Sequence, residues 1–356
     1  MSGTSLDGAD AALVSFTPTG AARLEGQVYL PFPDELRQQL LALNSPGDNE
    51  IERSCIQANR LSRLYAESVA ALLQQSGLAT SDIIAIGSHG QTIRHRPEFG
   101  FTVQIGNSAL LAELSDITVI SDFRSRDIAA GGQGAPLVPA FHHAVFFHPA
   151  IHRVIVNIGG ISNLTYLPPN NNISGFDCGP ANLLMDAWAQ RHLGRSYDKN
   201  GEWAASGQVI EGLLTALLGH PFFWQRPPKS TGRDTFNIPW LEQYLKAEYQ
   251  PADVQATLLE LAARGIADAI QQYCQDATEI FLCGGGARNL ALRSRLQELC
   301  GVRKIALTDD LGIGVDWVEA AAFAWLAKQT MEKLPSNLPA VTGAQGPRIL
   351  GAIYPA

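Results

Sequence analysis

Charge is scarce in this 356-residue sequence: Asp, Glu, Lys and Arg together make up 17% of it, and only six lysines occur. The balance is acidic, with a formal net charge of -8 at pH 7. No basic stripe is therefore on offer to a nucleic-acid backbone, whose recognition depends on neutralising phosphates. Acidity does not exclude a nucleotide, because backbone N–H groups and Mg²⁺ can hold phosphates without a lysine cluster. Cysteine is sparse as well. Cys55, Cys178, Cys274, Cys283 and Cys300 are odd in number and never at CxxC spacing. That pattern suggests neither a disulfide framework nor a zinc site, and reduced thiols are the simplest reading. No uninterrupted apolar run reaches the roughly 18–20 residues of a membrane span. The opening Met1-Ser2-Gly3-Thr4-Ser5 lacks the basic and apolar regions of a secretory signal. A cytoplasmic protein without membrane or nucleic-acid partners is expected. Familiar catalytic signatures are missing too. No lysine follows a glycine, so the G-K-[ST] phosphate loop is absent, and neither HExxH nor GxSxG is found. His142, His143, His148 and His152 cluster in sequence, but solvated or packed histidines explain them better than a metal site.

What the chain does have is apolar bulk, 46% hydrophobic residues. That suits a well-buried enzyme, and the length suits two domains of roughly 150–200 residues each. Strand and helix patterns alternate, the mark of an α/β protein. Ala11–Phe16 reads as a strand after a polar turn. Apolar residues at helical spacing, among them Ile56, Leu61, Leu64 and Val69, predict a helix over Ile51–Leu73. Ile83–Ile86 reads as a short buried strand delivering Gly87-Ser88-His89-Gly90-Gln91-Thr92 at its C-terminal end, where ligands concentrate in α/β sheets. A second series opens with the β-branched strand Val154–Ile158, then Gly159-Gly160, then Ser162–Leu167. Asp253–Cys274 predicts an amphipathic helix with Val254, Leu258, Leu261, Ile266 and Ile270 on one side. Glu279–Cys283 is a buried strand running into Gly284-Gly285-Gly286, and Asn289–Leu299 is helical. The glycine-rich Gly131–Gly134 segment is the expected hinge, and 168–172 and 227–232 read as loops. Two glycine- and hydroxyl-rich turns, one opening each half, suggest a duplicated fold.

Three motifs are suited to chemistry. In Ser2–Asp10 the glycines allow backbone N–H groups to approach phosphate oxygens, and Asp7 suits Mg²⁺, directly or through water. The competing reading is a solvated turn. In Gly175-Phe176-Asp177-Cys178-Gly179-Pro180-Ala181-Asn182 a carboxylate sits beside a Gly-Pro turn, as a general base is commonly presented. Asp177 is equally suited to cap a helix over Asn182–Gln190, and residue type alone favours the cap. In Cys283–Asn289, strand, glycines and helix follow one another, so a nucleotide can lie against backbone that carries no Cβ. This last segment nearly matches the dinucleotide G-x-G-x-x-G, with Asp309 and Asp310 about 20 residues on, but Asn289 replaces the third glycine.

Taken in order, these motifs resemble the anhydro-N-acetylmuramic acid kinase family along nearly the whole chain. The resemblance is carried by Ser2–Gly8, Gly87–Thr92, Asp122-Phe123-Arg124 with Arg126-Asp127, Asn157–Gly160, Gly175–Pro180 and Cys283–Gly286. Lys229-Ser230-Thr231-Gly232-Arg233 and Trp317-Val318-Glu319-Ala320 extend it. It implies two actin-like, RNase H-like α/β domains with an interdomain ATP and sugar cleft. On this reading residues 1–130 form the first domain and 131–330 the second, with 331–356 returning to the first. The implied reaction uses water to open the 1,6-anhydro ring while the 6-oxygen takes the γ-phosphate of ATP. It implies Asp177 as the general base. It implies nucleotide contacts from Gly3, Thr4, Ser5, Leu6, Asp7, Gly8, Ala9 and Asp10, from Asn157, Gly159 and Gly160, and from Gly284, Gly285 and Gly286. Mg²⁺ falls to Asp7, and sugar contacts to His89, Gln91, Arg124, Arg126 and Glu319, an arginine suiting the lactyl carboxylate. A homodimer is left open. The family pattern has a strand ahead of the first motif, which is expected to be missing here or the recorded start to be late. Ala181 also replaces a frequent glycine. An ordinary hexose kinase, an actin-like ATP switch and a nicotinamide-dependent dehydrogenase are the competing functions.

Overall fold

The structure is a computed structural model and describes every residue except Thr4, Ser5, Pro18 and Thr19. Its backbone divides into two compact units, Met1–Phe146 with Trp317–Ala356 and Phe147–Asp316.

In the first unit, β1 (Gly8–Phe16) pairs antiparallel with β2 (Ala22–Pro31). The amphipathic helix α1 (Glu50–Ser76) lies against both. Its buried face runs through Gln57, Leu61, Tyr65, Ser68 and Leu72, a spacing of three and four that keeps them in one stripe. Ile56, expected on that stripe, is 46% exposed. The helix stops at Gly77, whose left-handed backbone (φ 71°) lets its N–H bond the Leu73 carbonyl. β3 (Ile86–Gly87) is shorter than the run 83–86 suggests, because Ile84 is 80% exposed. β4 (Gln91–Arg96) and β5 (Phe101–Ile105) form a hairpin, and β6 (Val119–Ser121) runs parallel to β3. A short helix α2 (Ser125–Ala129) follows. Beyond it the Gly131–Gly134 segment, expected as a hinge, is stitched into this unit. Buried Asp127 accepts hydrogen bonds from Gly134 N (2.8 Å), Asn337 Nδ2 (2.7 Å) and Thr342 Oγ1 (2.8 Å). The unit boundaries accordingly fall after Phe146 and Asp316, not at 130 and 330.

The second unit is built on a five-stranded sheet of order β11-β10-β7-β8-β9. Its strands are β7 (Arg153–Ile158), β8 (Ile161–Leu167), β9 (Ser174–Pro180), β10 (Glu279–Cys283) and β11 (Lys304–Leu307). β7, β10 and β11 are parallel and β7, β8 and β9 antiparallel. Every residue of β7 is buried, as its apolar sequence requires of a central strand. Helices α3 (Asn182–Leu193), α4 (Pro221–Trp224) and α5 (Pro251–Tyr273) pack around the sheet. Val254, Leu258, Leu261, Ile266 and Ile270 of α5 are all at most 2% exposed. Each such side chain contributes about 1.5–3 kcal/mol on burial. α5 approaches β9 so closely that a Cβ on Gly265 would lie 3.0 Å from the Cys178 carbonyl oxygen.

The chain then returns to the first unit as α6 (Val318–Met331) and β12 (Ala352–Tyr354), which pairs antiparallel with β6. No helix among the described residues is long and apolar enough to cross a membrane.

Candidate functional site

In the first unit, the segment ahead of β1 is a loop clamped at its base. Met1 N donates to the Asp10 carbonyl and Asp10 N to the Met1 carbonyl, both at 2.8 Å. Within it Ser2 is fully buried, and its hydroxyl pairs with Tyr65 Oη at 2.6 Å, so it serves the core and not a ligand. Leu6 and Ala9 also face the core, at 4% and 1% exposure. Gly8 is required by packing, since a Cβ there would lie 2.5 Å from the Leu30 carbonyl oxygen. Asp7 is exposed. Gly3, whose carbonyl accepts from Gln91 Nε2 at 3.3 Å, ties this loop to β4. Thr4 and Ser5 lie outside the described residues.

Beside that loop the unit gathers His89, Arg124 and Glu319. Arg124 donates through Nη1 to the Gly134 carbonyl (2.8 Å) and through Nη2 to His89 Nε2 (2.9 Å). A guanidinium has no acceptor, so Nε2 must accept and the imidazole proton sits on Nδ1. Burial, then the charge of Arg124, holds His89 well below the usual histidine range, so the ring is neutral. Burial also lowers Arg124 to about 10, against the opposing pull of Glu319 and Asp127. Phe323, one turn beyond Glu319 on α6, sets its ring 4.6 Å from that of His89, tilted by 49°. Among the described residues, buried Gln91 finds no hydrogen-bond partner for its Oε1. Arg126 stands apart: it is exposed on α2 and borders a different hollow with Lys333 and Arg348.

In the second unit, the parallel neighbours β7 and β10 bring their C-terminal ends together. Gly284 (φ 80°) follows β10, and a Cβ on it would lie 2.3 Å from Asn157 Oδ1. A Cβ on Gly286 would meet Ile158 Cγ2 at 2.3 Å. Both glycines are therefore demanded by packing against the end of β7. Gly285 differs, for a Cβ there would meet no atom of the described residues within 4 Å. The Gly159-Gly160 turn is linked to the start of α3, with Asn182 N donating to the Gly159 carbonyl and Leu183 N to that of Gly160, both at 3.1 Å. Asn289, the residue that breaks the dinucleotide pattern, caps the following helix through Oδ1 to Leu292 N at 3.0 Å.

Asp177 lies inside β9, opposite Asn163. It caps nothing: the N-cap of α3 is Ala181, with no side-chain cap bond. Its N–H donates to the Lys229 carbonyl (3.1 Å), and its Oδ2 accepts from Thr231 N (2.9 Å). Burial pushes its carboxyl up to about 7, opposed by the Thr231 N–H and the Lys229 ammonium. A carboxyl near neutrality and beside a strand edge suits proton abstraction. In the sequence, Lys229 and Thr231 stand only within a motif that carries the family resemblance, with no role of their own. Their signal is a loop of small polar residues between aromatic segments, which composition alone does not connect to β9.

A model of the anhydro-N-acetylmuramic acid kinase family matches residues 1–356. The chain belongs to that family. Proteins named anhydro-N-acetylmuramic acid kinase share 59% identity with it in Nitrosospira multiformis and 56% in Nitrosomonas europaea, each over 100% of this chain and 98% of the relative. One from Pseudomonas fluorescens shares 54% over the same proportions. Among solved structures, the activator of 2-hydroxyisocaproyl-CoA dehydratase from Clostridium difficile with bound ADPNP aligns over 92% of this chain and 98% of its own, at 13% identity and a TM-score of 0.43. That likeness is too remote to bear on the site.

Proposed function

We propose that this family member uses ATP to convert 1,6-anhydro-N-acetylmuramic acid to N-acetylmuramic acid 6-phosphate and ADP in murein recycling. The observation that carries the mechanism is Asp177, a strand carboxylate free of any capping duty and titrating about 7. Asp177 takes a proton from water as that water bonds to the anomeric carbon. The bond from that carbon to O6 breaks, O6 bonds to the γ-phosphorus, and the phosphoanhydride bond to ADP breaks. General-base assistance of this kind is worth roughly 10²- to 10⁴-fold.

For the nucleotide, Gly3 to Asp10, Asn157, Gly159 and Gly160 are the proposed phosphate contacts, and Gly284–Gly286 the proposed adenosine face. The open space beside Gly285 supports the last of these. Among the described residues no three His, Cys, Asp or Glu side chains gather around one point. Exposed Asp7 still fits Mg²⁺, which takes one or two carboxylates and fills its remaining positions with phosphate oxygens and water. Bound there, Mg²⁺ would neutralise phosphate charge. His89, Gln91, Arg124 and Glu319 are the proposed sugar contacts, with the Arg124 guanidinium matched to the lactyl carboxylate. Arg126, also expected there, is retained only as a peripheral candidate. A need for ATP supports a cytoplasmic setting for this reaction.

Mass spectrometry of the product made from the anhydro sugar, ATP and Mg²⁺ in ¹⁸O-water is the direct test. The expected product gains one phosphoryl group and one ¹⁸O. A phosphorylated product that keeps its anhydro ring would make this an ordinary sugar kinase. ATP turnover indifferent to the sugar would make it a nucleotide switch.

A further inference from the structure

Lys229 borders Asp177 in a way that the reaction scheme does not use. Its carbonyl fixes the Asp177 N–H, and two residues on, the Thr231 N–H fixes Oδ2, so one short segment grips both ends of the residue. The Lys229 ammonium does not pair with the carboxylate. Nζ instead donates to the Phe222 carbonyl at 3.2 Å and stands over two rings, 4.6 Å from the centroid of Phe222 and 5.9 Å from that of Phe176. A cation over an aromatic face is attracted by the ring quadrupole. Burial lowers the ammonium's affinity for its proton, while Cys178 and Asp177 hold it up.

Other titratable groups surround β9. Cys178 is beside Asp177, and burial pushes its thiol well up, so it is neutral. Tyr166 is on β8; Arg264, Asp268, Tyr273 and Cys274 belong to α5 and its end; His220 precedes α4; Arg226, Arg233 and Asp234 share the loop. Among the described residues Lys229 is the one cation whose charge acts on the Asp177 carboxylate. The arrangement matters chemically. A direct ion pair would make the carboxylate too weak a base, whereas burial with no cation would leave it protonated at neutral pH.

We propose that Lys229 is a positioning residue for ring opening: held off Asp177 by the Phe222 carbonyl and two rings, its ammonium favours the ionised carboxylate without pairing with it. The inference rests on the reading of Asp177 as the base. Both are tested by comparing wild type with Lys229→Met, Lys229→Gln and Lys229→Arg. The Asp177 carboxyl is titrated by ¹³C NMR, identified by its loss in Asp177→Asn, and the pH profile of kcat/KM and the melting temperature are measured alongside. Lys229→Gln keeps a donor for the Phe222 carbonyl, so it serves if Lys229→Met fails to fold.

In the neutral variants the carboxyl titration and the acid limb of the rate profile should move together to higher pH, by roughly one unit. Lys229→Arg should restore both. Rates well above the limb should stay within about threefold of wild type. A folded neutral variant whose Asp177 titration stays put overturns the electrostatic role, and so does a rate loss equal at every pH. A titration that moves while the rate profile does not would leave the Lys–Asp coupling intact but remove Asp177 as the base, and with it any part for Lys229 in the reaction.

Discussion

At the scale of single residues, the proposed base Asp177 would set activity against stability. Its carboxyl titrates about 7 instead of the ordinary 3.8. The folded state therefore holds this proton more tightly than the unfolded state does. Above pH 7 both states are ionised, and the folded one bears the cost of a buried charge, roughly 2–4 kcal/mol. Asp177→Asn keeps an acceptor for the Thr231 N–H and removes that charge. It should lower kcat roughly 10²- to 10⁴-fold while raising the melting temperature at pH 8, with the gain fading as pH falls toward 5. Steady-state kinetics and calorimetry on one preparation check both halves. A variant keeping more than about half the wild-type rate would return Asp177 to a structural role. Residue type alone favours a cap, because an Asp five residues ahead of a helix reads as one; in the sequence only the family resemblance points to a base. Only the β8–β9 register shows that strand geometry continues through Pro180 and leaves the cap to Ala181.

Among elements, legibility followed burial. β7 and β10 were readable because central strands are apolar on both faces, and α5 because its apolar residues recur at helical spacing. Ile83–Ile86 misled for the same reason: four apolar or small residues suggest a buried strand, yet only Ile86 and Gly87 find a partner strand in β6. The three glycines after β10 were visible as a motif, but their separate duties were not. Those depend on what each absent Cβ would touch. Gly286→Ala should lower the melting temperature, since its methyl would overlap Ile158 Cγ2, and overpacking costs about 1–3 kcal/mol. Gly285→Ala should leave the melting temperature nearly unchanged and raise the KM for ATP several-fold. If both variants melt alike and bind ATP alike, the turn is scaffold alone and the adenosine lies elsewhere.

For the molecule as a whole, the two units should respond to acid in opposite directions. In the first, His142 is fully buried, and burial lowers it from 6.5 to about 3. The unfolded chain then binds a proton that the folded unit refuses, so stability is lost as pH falls below 6.5, by about 2 kcal/mol at pH 5. Neutral His89 adds to the loss. In the second unit, Asp177 and Asp268 are raised by burial, so protonation restores stability between about pH 7 and 4. His192 and His220 are lowered and oppose this, but His192 is exposed and His220 partly so, and their effect is screened. Calorimetry from pH 8 to 5 should thus show two transitions that shift apart, the first unit's falling and the second's holding or rising. His142→Gln should flatten the falling transition and leave the other alone, and Asp177→Asn should do the reverse. Two transitions that fall in parallel, unmoved by either substitution, would mean that neither buried group governs its unit's response to acid.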